Sequence, residues 1–158
     1  MKLLGKRVLV IGERDGVNAP AIEACVKSAG AEVTLLPEEQ RARDQIETAF
    51  ASAGLTVPPV KDVLAQLAVE TRRAEKLLQL LLKEKRLLRV SADLIFHANA
   101  LLEMRQKVAS YKKAKSERIS VPAFKELTGI SRKYAIPLLE YLDRERVTRR
   151  AGDERVIL

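Results

Sequence analysis

The 158-residue sequence holds one cysteine, one histidine and no tryptophan, and only 4% of it is aromatic. A lone cysteine excludes an internal disulfide and, with no export signal, points to a reducing, cytoplasmic setting. Clusters of histidine and cysteine at metal-ligand spacing are absent, so no metal is expected. No run of about 18 apolar residues occurs, so no membrane span is expected. The opening MKLLGKRVLVIGERDG is apolar over too short a stretch, and too broken by charge, for a signal peptide. GERDG sets Gly12 and Gly16 four apart, which matches neither the dinucleotide-binding nor the phosphate-loop spacing, so no nucleotide cofactor is expected. His97 reads as structural and Cys25 as a core residue on an apolar helix face. No catalytic residue stands out, and the chain is not expected to be an enzyme.

Positive charge is plentiful and unevenly placed. The net charge is +8. Residues 1–36 contribute +1, residues 37–109 contribute +2, and residues 110–158 contribute +5. A basic excess at one end suits a module that grips a polyanion, although a solvated basic surface has the same composition.

Three pieces follow one another. KRVLVIG (6–12) reads as a buried strand and ERDG as a turn. A helix with Asn18 as N-cap and Pro20 in its first turn places Ile22, Cys25, Val26 and Ala29 on one face and ends at Gly30. AEVTLL (31–36) is a second strand, which completes a short β-α-β unit. Two strands and a helix bury little apolar surface, so this unit needs a partner surface.

From Pro37 the apolar period becomes helical. PEEQRARDQIETAFASAG (37–54) is an amphipathic helix ending at Gly54. Two similar segments then follow, one from Val57-Pro58 and one from Val121-Pro122, at an offset of 64. Leu87, Arg89 and Asp93 match Val147, Arg149 and Asp153 at an offset of 60, which implies four extra residues inside the first copy. Each copy reads as a short helix, a turn, a longer helix and a β-hairpin closed by SAD or AGD. With the helix before each copy, 37–53 and about 98–115, the order is that of a winged helix. The expected fold is therefore mainly α with small β wings: tandem winged-helix modules, 37–108 and 109–158, after the β-α-β unit of 1–36. HANALLEMRQKVASYKKAKS both leaves the first module and opens the second.

The second helix of a helix-turn-helix leads into nucleic acid with its N-terminal residues. In the second copy Ser131 is a suitable N-cap, so Arg132, Lys133 and Tyr134 fill the first turn beside free backbone N–H groups. Such a tip attracts phosphate. Tyr134 offers a face for an unstacked base, worth roughly 1–3 kcal/mol. In the alternative the two cations are merely solvated and Tyr134 packs on the core. Ile136, Leu139, Tyr141 and Leu142 are core candidates, and Pro137 bends the helix they lie on. The wing supplies Arg149, Arg150 and Arg155, and alternation turns at least one of the adjacent pair outward. In the first copy acids flank the equivalent basic residues, and that copy reads as a spacer.

LLQLLLKEKRLLRVSADLIFHANAL and, more specifically, GISRKYAIPLLEYLDRERVTRRAGDERVIL resemble the C-terminal tandem winged helices of the bacterial selenocysteine-specific elongation factor, SelB. The resemblance runs over residues 37–158. It implies that the last winged helix binds the selenocysteine-insertion (SECIS) mRNA hairpin that recodes UGA, reading the loop backbone and an extruded base near the ribosome. It also implies RNA-binding roles for Ser131, Arg132, Lys133, Tyr134, Arg149 and Arg150. Lys85 and Arg146 stand where that family usually has glycine; as left-handed caps each costs up to about 1 kcal/mol. The family's GTPase and tRNA-binding domains are absent, so this chain is not expected to deliver tRNA by itself.

GKRVLVIGERDG and PAIEACVKSAGAEV resemble the start of selenoprotein A of the glycine reductase complex. That family's redox pair follows the second strand, where this chain has LLPEEQ instead. A natural fusion, a gene remnant and an engineered joining would all give such a chain. A DNA-binding winged-helix regulator and an inactive reductase component kept for docking are the alternative functions. The short N-terminal sheet also exposes strand edges, so a weak dimer through residues 1–36 is expected; light scattering should give twice the chain mass, and a monomer mass removes the idea.

Overall fold

The computed structural model describes residues 7–9 and 32–158. Strands β1 (Arg7–Leu9) and β2 (Glu32–Thr34) pair in parallel, Val8 against Val33. The expected helix over 20–29, Cys25 and the GERDG turn lie outside the described residues.

Helix α1 (Pro37–Ala53) starts with proline in its first turn and with Glu38 and Glu39 beside the positive helix end. The Glu39 carboxylate accepts from the Leu36 N–H. Ala42, Ile46 and Phe50, spaced by four, are its buried stripe. Short α2 (Val60–Ala65) and longer α3 (Thr71–Lys83) follow, then the hairpin β3 (Leu87–Arg89) and β4 (Ile95–His97). Helix α4 (Ala98–Ala114) begins at the next residue. Strand β5 (Arg118–Ser120), α5 (Val121–Thr128), α6 (Arg132–Arg144), β6 (Thr148–Ala151) and β7 (Glu154–Ile157) complete the chain. The strand order of the last sheet is β5-β7-β6, all antiparallel. This is a mostly helical fold with small antiparallel wings, in which helix, helix, helix and hairpin occur twice.

Superposing the two copies by their elements corrects the expected offsets. Pro37, Val60, Thr71 and Leu87 each begin an element 61 residues before Ala98, Val121, Arg132 and Thr148. Ala74, Leu77, Leu78 and Leu81 are buried on α3, and Ala135, Leu138, Leu139 and Leu142 are buried at the same offset on α6. Val57 precedes its helix by three residues, whereas Val121 opens one, so the two Val-Pro pairs are not equivalent. The four extra residues placed in the middle of the first copy do not exist. The extra length lies in the hairpin turn, residues 90–94 in the first copy against 152–153 in the second.

The helix ends match as well. Lys85 and Arg146 take φ of 58° and 56°. Arg86 donates to Leu81 O and Lys85 to Leu82 O, while Val147 donates to Leu142 O and Arg146 to Asp143 O. This is the Schellman closure, which usually places glycine at the left-handed position. The strain expected of non-glycine residues at these caps is present in both copies.

One hydrophobic core runs through both copies. Ile136, expected in it, is only half-buried, and Ala135 and Leu138 take the inner positions. His97, 6% exposed, closes the first hairpin. Its Nδ1 accepts from the Asn99 N–H at 3.2 Å, capping α4, and Nε2 faces Glu47 Oε1 of α1 at 3.3 Å. Arg86 Nε also donates to Glu47 Oε1, at 2.7 Å. Burial pushes the Glu47 carboxyl upward, but the hydrogen bonds from Arg86 and His97 outweigh it and hold the group below its ordinary value of 4.5. A depressed carboxyl stabilises the fold above its unfolded value and loses that contribution as pH falls through the folded one. Thermal stability should therefore drop below about pH 4.5. Glu47→Gln should flatten that part of the profile; an unaltered acid limb would mean that Glu47 does not carry it.

Candidate nucleic-acid interface

Ser131 stands at the N-cap of α6, with φ −76° and ψ 164°. Its carbonyl accepts from the Tyr134 and Ala135 N–H groups at 3.1 and 3.0 Å. Its hydroxyl makes no capping hydrogen bond. Arg132 and Lys133 are exposed in the first turn, where backbone N–H groups have no helical acceptor. The Arg132 side chain makes no hydrogen bond or ion pair among the described residues. Helix α6 runs without a break through Pro137.

Tyr134 departs from the expectation of a free stacking face. It is half-buried against the core, and its hydroxyl donates to Val57 O, 77 residues away, at 3.2 Å. The Lys133 ammonium lies 5.4 Å from the ring centroid, a cation–π approach. The other end of α6 is tied in the same manner, because the Arg144 guanidinium donates to Val90 O. The helix that carries the tip is thus bonded at its first and last turns to two carbonyls of the preceding copy. These ties are invisible in the sequence, which pairs neither Tyr134 nor Arg144 with a backbone atom so far away.

In the wing both Arg149 and Arg150 are exposed. Alternation sends them to opposite faces, and β6 is an edge strand, so each reaches solvent. Arg150 Nε donates to Gly152 O at 3.3 Å across the turn, where Gly152 adopts φ 69°. Arg155 is a correction. It is 7% exposed and donates from Nε to Asp143 Oδ2 at 2.9 Å. Thr148 donates to the other oxygen of Asp143 at 2.5 Å. Arg155 of β7 and Thr148 of β6 thus fasten both wing strands to Asp143 near the end of α6, and Arg155 is not part of the exposed wing.

The equivalent tip of the first copy is Glu70, Thr71, Arg72 and Arg73. Glu70 is the N-cap, and Arg73 lies 3.5 Å from Glu38. The same scaffold thus carries an acid, one exposed arginine (Arg72) and a paired arginine in one copy, and two adjacent exposed cations in the other. No cluster of metal-ligating side chains occurs among the described residues, and no helix there is long and apolar enough to cross a membrane.

The fold and surface define a class: consecutive winged helices, the second with a cationic helix start and wing. Comparison with known proteins narrows it. A family model described as "Elongation factor SelB, winged helix" matches residues 110–157, and one described as "Glycine reductase complex selenoprotein A" matches residues 3–41. The selenocysteine-specific elongation factor of Desulfomicrobium baculatum is 34% identical over 125 residues, 79% of this chain and 20% of that protein. Component A of the glycine/sarcosine/betaine reductase complex of Symbiobacterium thermophilum is 54% identical over 39 residues, 25% of each chain. This chain thus spans about a fifth of the one relative and a quarter of the other. Among solved structures, the mRNA-binding domain of elongation factor SelB from E. coli, in complex with SECIS RNA, matches at TM-score 0.62 and 21% identity. That match covers 77% of this chain and 97% of the other. A bacterial selenocysteine-specific elongation factor matches at TM-score 0.57 and 24% identity, over 78% of this chain and 18% of its own. Both resemblances read from the residues, one for each part of the chain, are thus found by comparison.

The ties on α6 are open to test. Tyr134→Phe keeps the ring and removes one hydrogen bond, and Arg144→Gln removes the other long-range donor. Each should lower the unfolding free energy by about 1 kcal/mol. Denaturant midpoints equal to that of the unaltered chain would reduce both hydrogen bonds to surface decoration.

Proposed function

We propose that this chain is a non-catalytic RNA-binding module of the cytoplasm that holds a SECIS-type mRNA hairpin. In this reading residues 37–108 form a first winged helix that serves as a platform. Residues 109–158 form a second that makes the contact, and residues 1–36 are a selenoprotein A-like piece. The observation that carries the reading is the contrast between the two helix starts: Glu70, an exposed Arg72 and the Arg73–Glu38 pair in one, Ser131 and the adjacent exposed Arg132 and Lys133 in the other. The similarity to a SelB domain described in complex with SECIS RNA supports the choice of partner.

The mechanism is phosphate neutralisation by a preformed surface. Arg132 and Lys133, with the positive end of α6, meet the backbone of an RNA loop, and Arg149 and Arg150 of the wing make a second point of contact. Tyr134 positions the first turn through Val57 and holds Lys133 over its ring. Ser131, with its hydroxyl free of capping duty, can donate to phosphate or ribose. Proximity to the ribosome follows from the partner.

The test is a titration of a labelled SECIS-type hairpin, and of the same stem with a scrambled loop, at several salt concentrations. Binding should be tight, dependent on the loop and sensitive to salt. The double variant Arg132→Ala, Lys133→Ala should weaken it and reduce the salt slope by roughly 0.7 for each phosphate no longer neutralised. A preference for duplex DNA, or an unchanged affinity and slope in the double variant, would overturn the reading.

A further inference from the structure

The sheet β5-β7-β6 buries one face, where Ile119, Thr148, Arg155 and Ile157 are each less than 10% exposed. The strand register fixes what stands on the other. Arg118 of β5 and Arg149 of β6 both sit opposite Val156 of β7. Directly opposed residues of antiparallel strands project to the same side, so Arg118, Val156 and Arg149 form one row across the outer face. With strands about 4.8 Å apart, the two arginine Cα atoms stand roughly 10 Å from each other. The Arg118 side chain is 65% exposed, and Arg149 is exposed too. The next row is Ser120, Glu154 and Ala151, and Glu154 Oε2 lies 3.9 Å from Arg118 Nη1. On the other side of the arginine row, two residues before Arg149, Val147 lines a hollow of about 510 Å³ together with Lys112, Lys113, Glu117 and Ile157.

The outer face therefore sets two cations, Arg118 and Arg149, against one carboxylate, Glu154, and the hollow at the end of the sheet adds Lys112 and Lys113 of α4 beside Glu117. The cations are strung across strands and along the end of α4, an arrangement suited to a linear polyanion. Arg149 belongs at once to this row and to the wing assigned to RNA above. We infer that the outer face of β5-β7-β6 is a second contact surface for the phosphate backbone of the bound RNA, with Arg118 and Arg149 as its central pair and Glu154 as a restraint on Arg118. This inference rests on the RNA-binding reading. Sequence spacing hides the pair, because Arg118 is 31 residues from Arg149 and they meet only through the strand between them.

The full chain and its Arg118→Gln, Lys113→Gln and Glu154→Gln variants would be titrated with the same hairpin by fluorescence anisotropy at several salt concentrations. Circular dichroism would confirm that each variant folds. Arg118→Gln and Lys113→Gln should weaken binding several-fold and lower the salt slope by about 0.7 each. Glu154→Gln should strengthen binding, because it frees Arg118 and removes a repelling charge. Opposite signs from neighbouring residues would not arise from a merely structural role. If the unaltered chain binds and all three variants match it in affinity and slope, the outer face is no contact, and the RNA reading stands without it. If the unaltered chain does not bind the hairpin, the RNA reading fails and this inference falls with it. Equal effects on a duplex DNA of the same length would overturn the assignment to RNA.

Discussion

The whole arrangement turns on a junction that has no linker. Strand β4 ends at His97 and α4 begins at Ala98. A single side chain makes the transition rigid. One nitrogen of His97 caps the new helix through Asn99, and the other is held by Glu47 of α1, which also binds Arg86 beyond the end of α3. A buried polar group is costly unless each of its atoms is satisfied, and here both are. The direction of α4 is therefore set by the packing of the first copy. Everything after it, including the cationic helix start and the wing, inherits that direction.

The two copies show how one scaffold holds two different surfaces. Buried positions on α3 and α6 coincide at one offset, and both helices end in the same left-handed closure with a charged residue where glycine is usual. Packing fixes these features, since a core position tolerates few substitutions of volume or polarity. The helix starts face solvent, where composition can drift without loss of the fold. There the first copy has Glu70, an exposed Arg72 and a paired Arg73, and the second has Ser131, Arg132 and Lys133. The first copy uses its loop carbonyls, Val57 and Val90, to hold the second in place.

Much of this is legible in the sequence because helical periodicity, capping residues and the repeat are local signals. The helix over 37–53, the shared helix near 98–115 and both hairpins follow from them. What escapes reading depends on distant pairing. Strand β5 is three residues long and exists only because β7, beginning 34 residues after Ser120, lies beside it. Arg155 resembles another wing cation, but strand parity turns it inward, where Asp143 waits one helix away. Tyr134 has two plausible roles, and a hydrogen bond spanning 77 residues selects the packed one. The repeat offset misleads because two Val-Pro pairs coincide without being equivalent, and because turn length absorbs a difference that sequence matching assigns to a helix.

Electrostatics alone cannot make a cationic surface selective, since attraction to phosphate is the same along any nucleic acid. Selectivity for a loop over a stem requires that a few charges meet phosphates whose spacing a loop sets and a helix does not. Such a match survives only if the charges are held in place before the ligand arrives, because each side chain or module that must be ordered on binding subtracts from the affinity. In this chain the ordering is done by folding. Two hydrogen bonds fix the helix that carries Arg132 and Lys133, Asp143 ties both wing strands to that helix, and α4 joins the copies without slack. The first copy supplies the frame that holds the second in place, through the carbonyls of Val57 and Val90 and through α4.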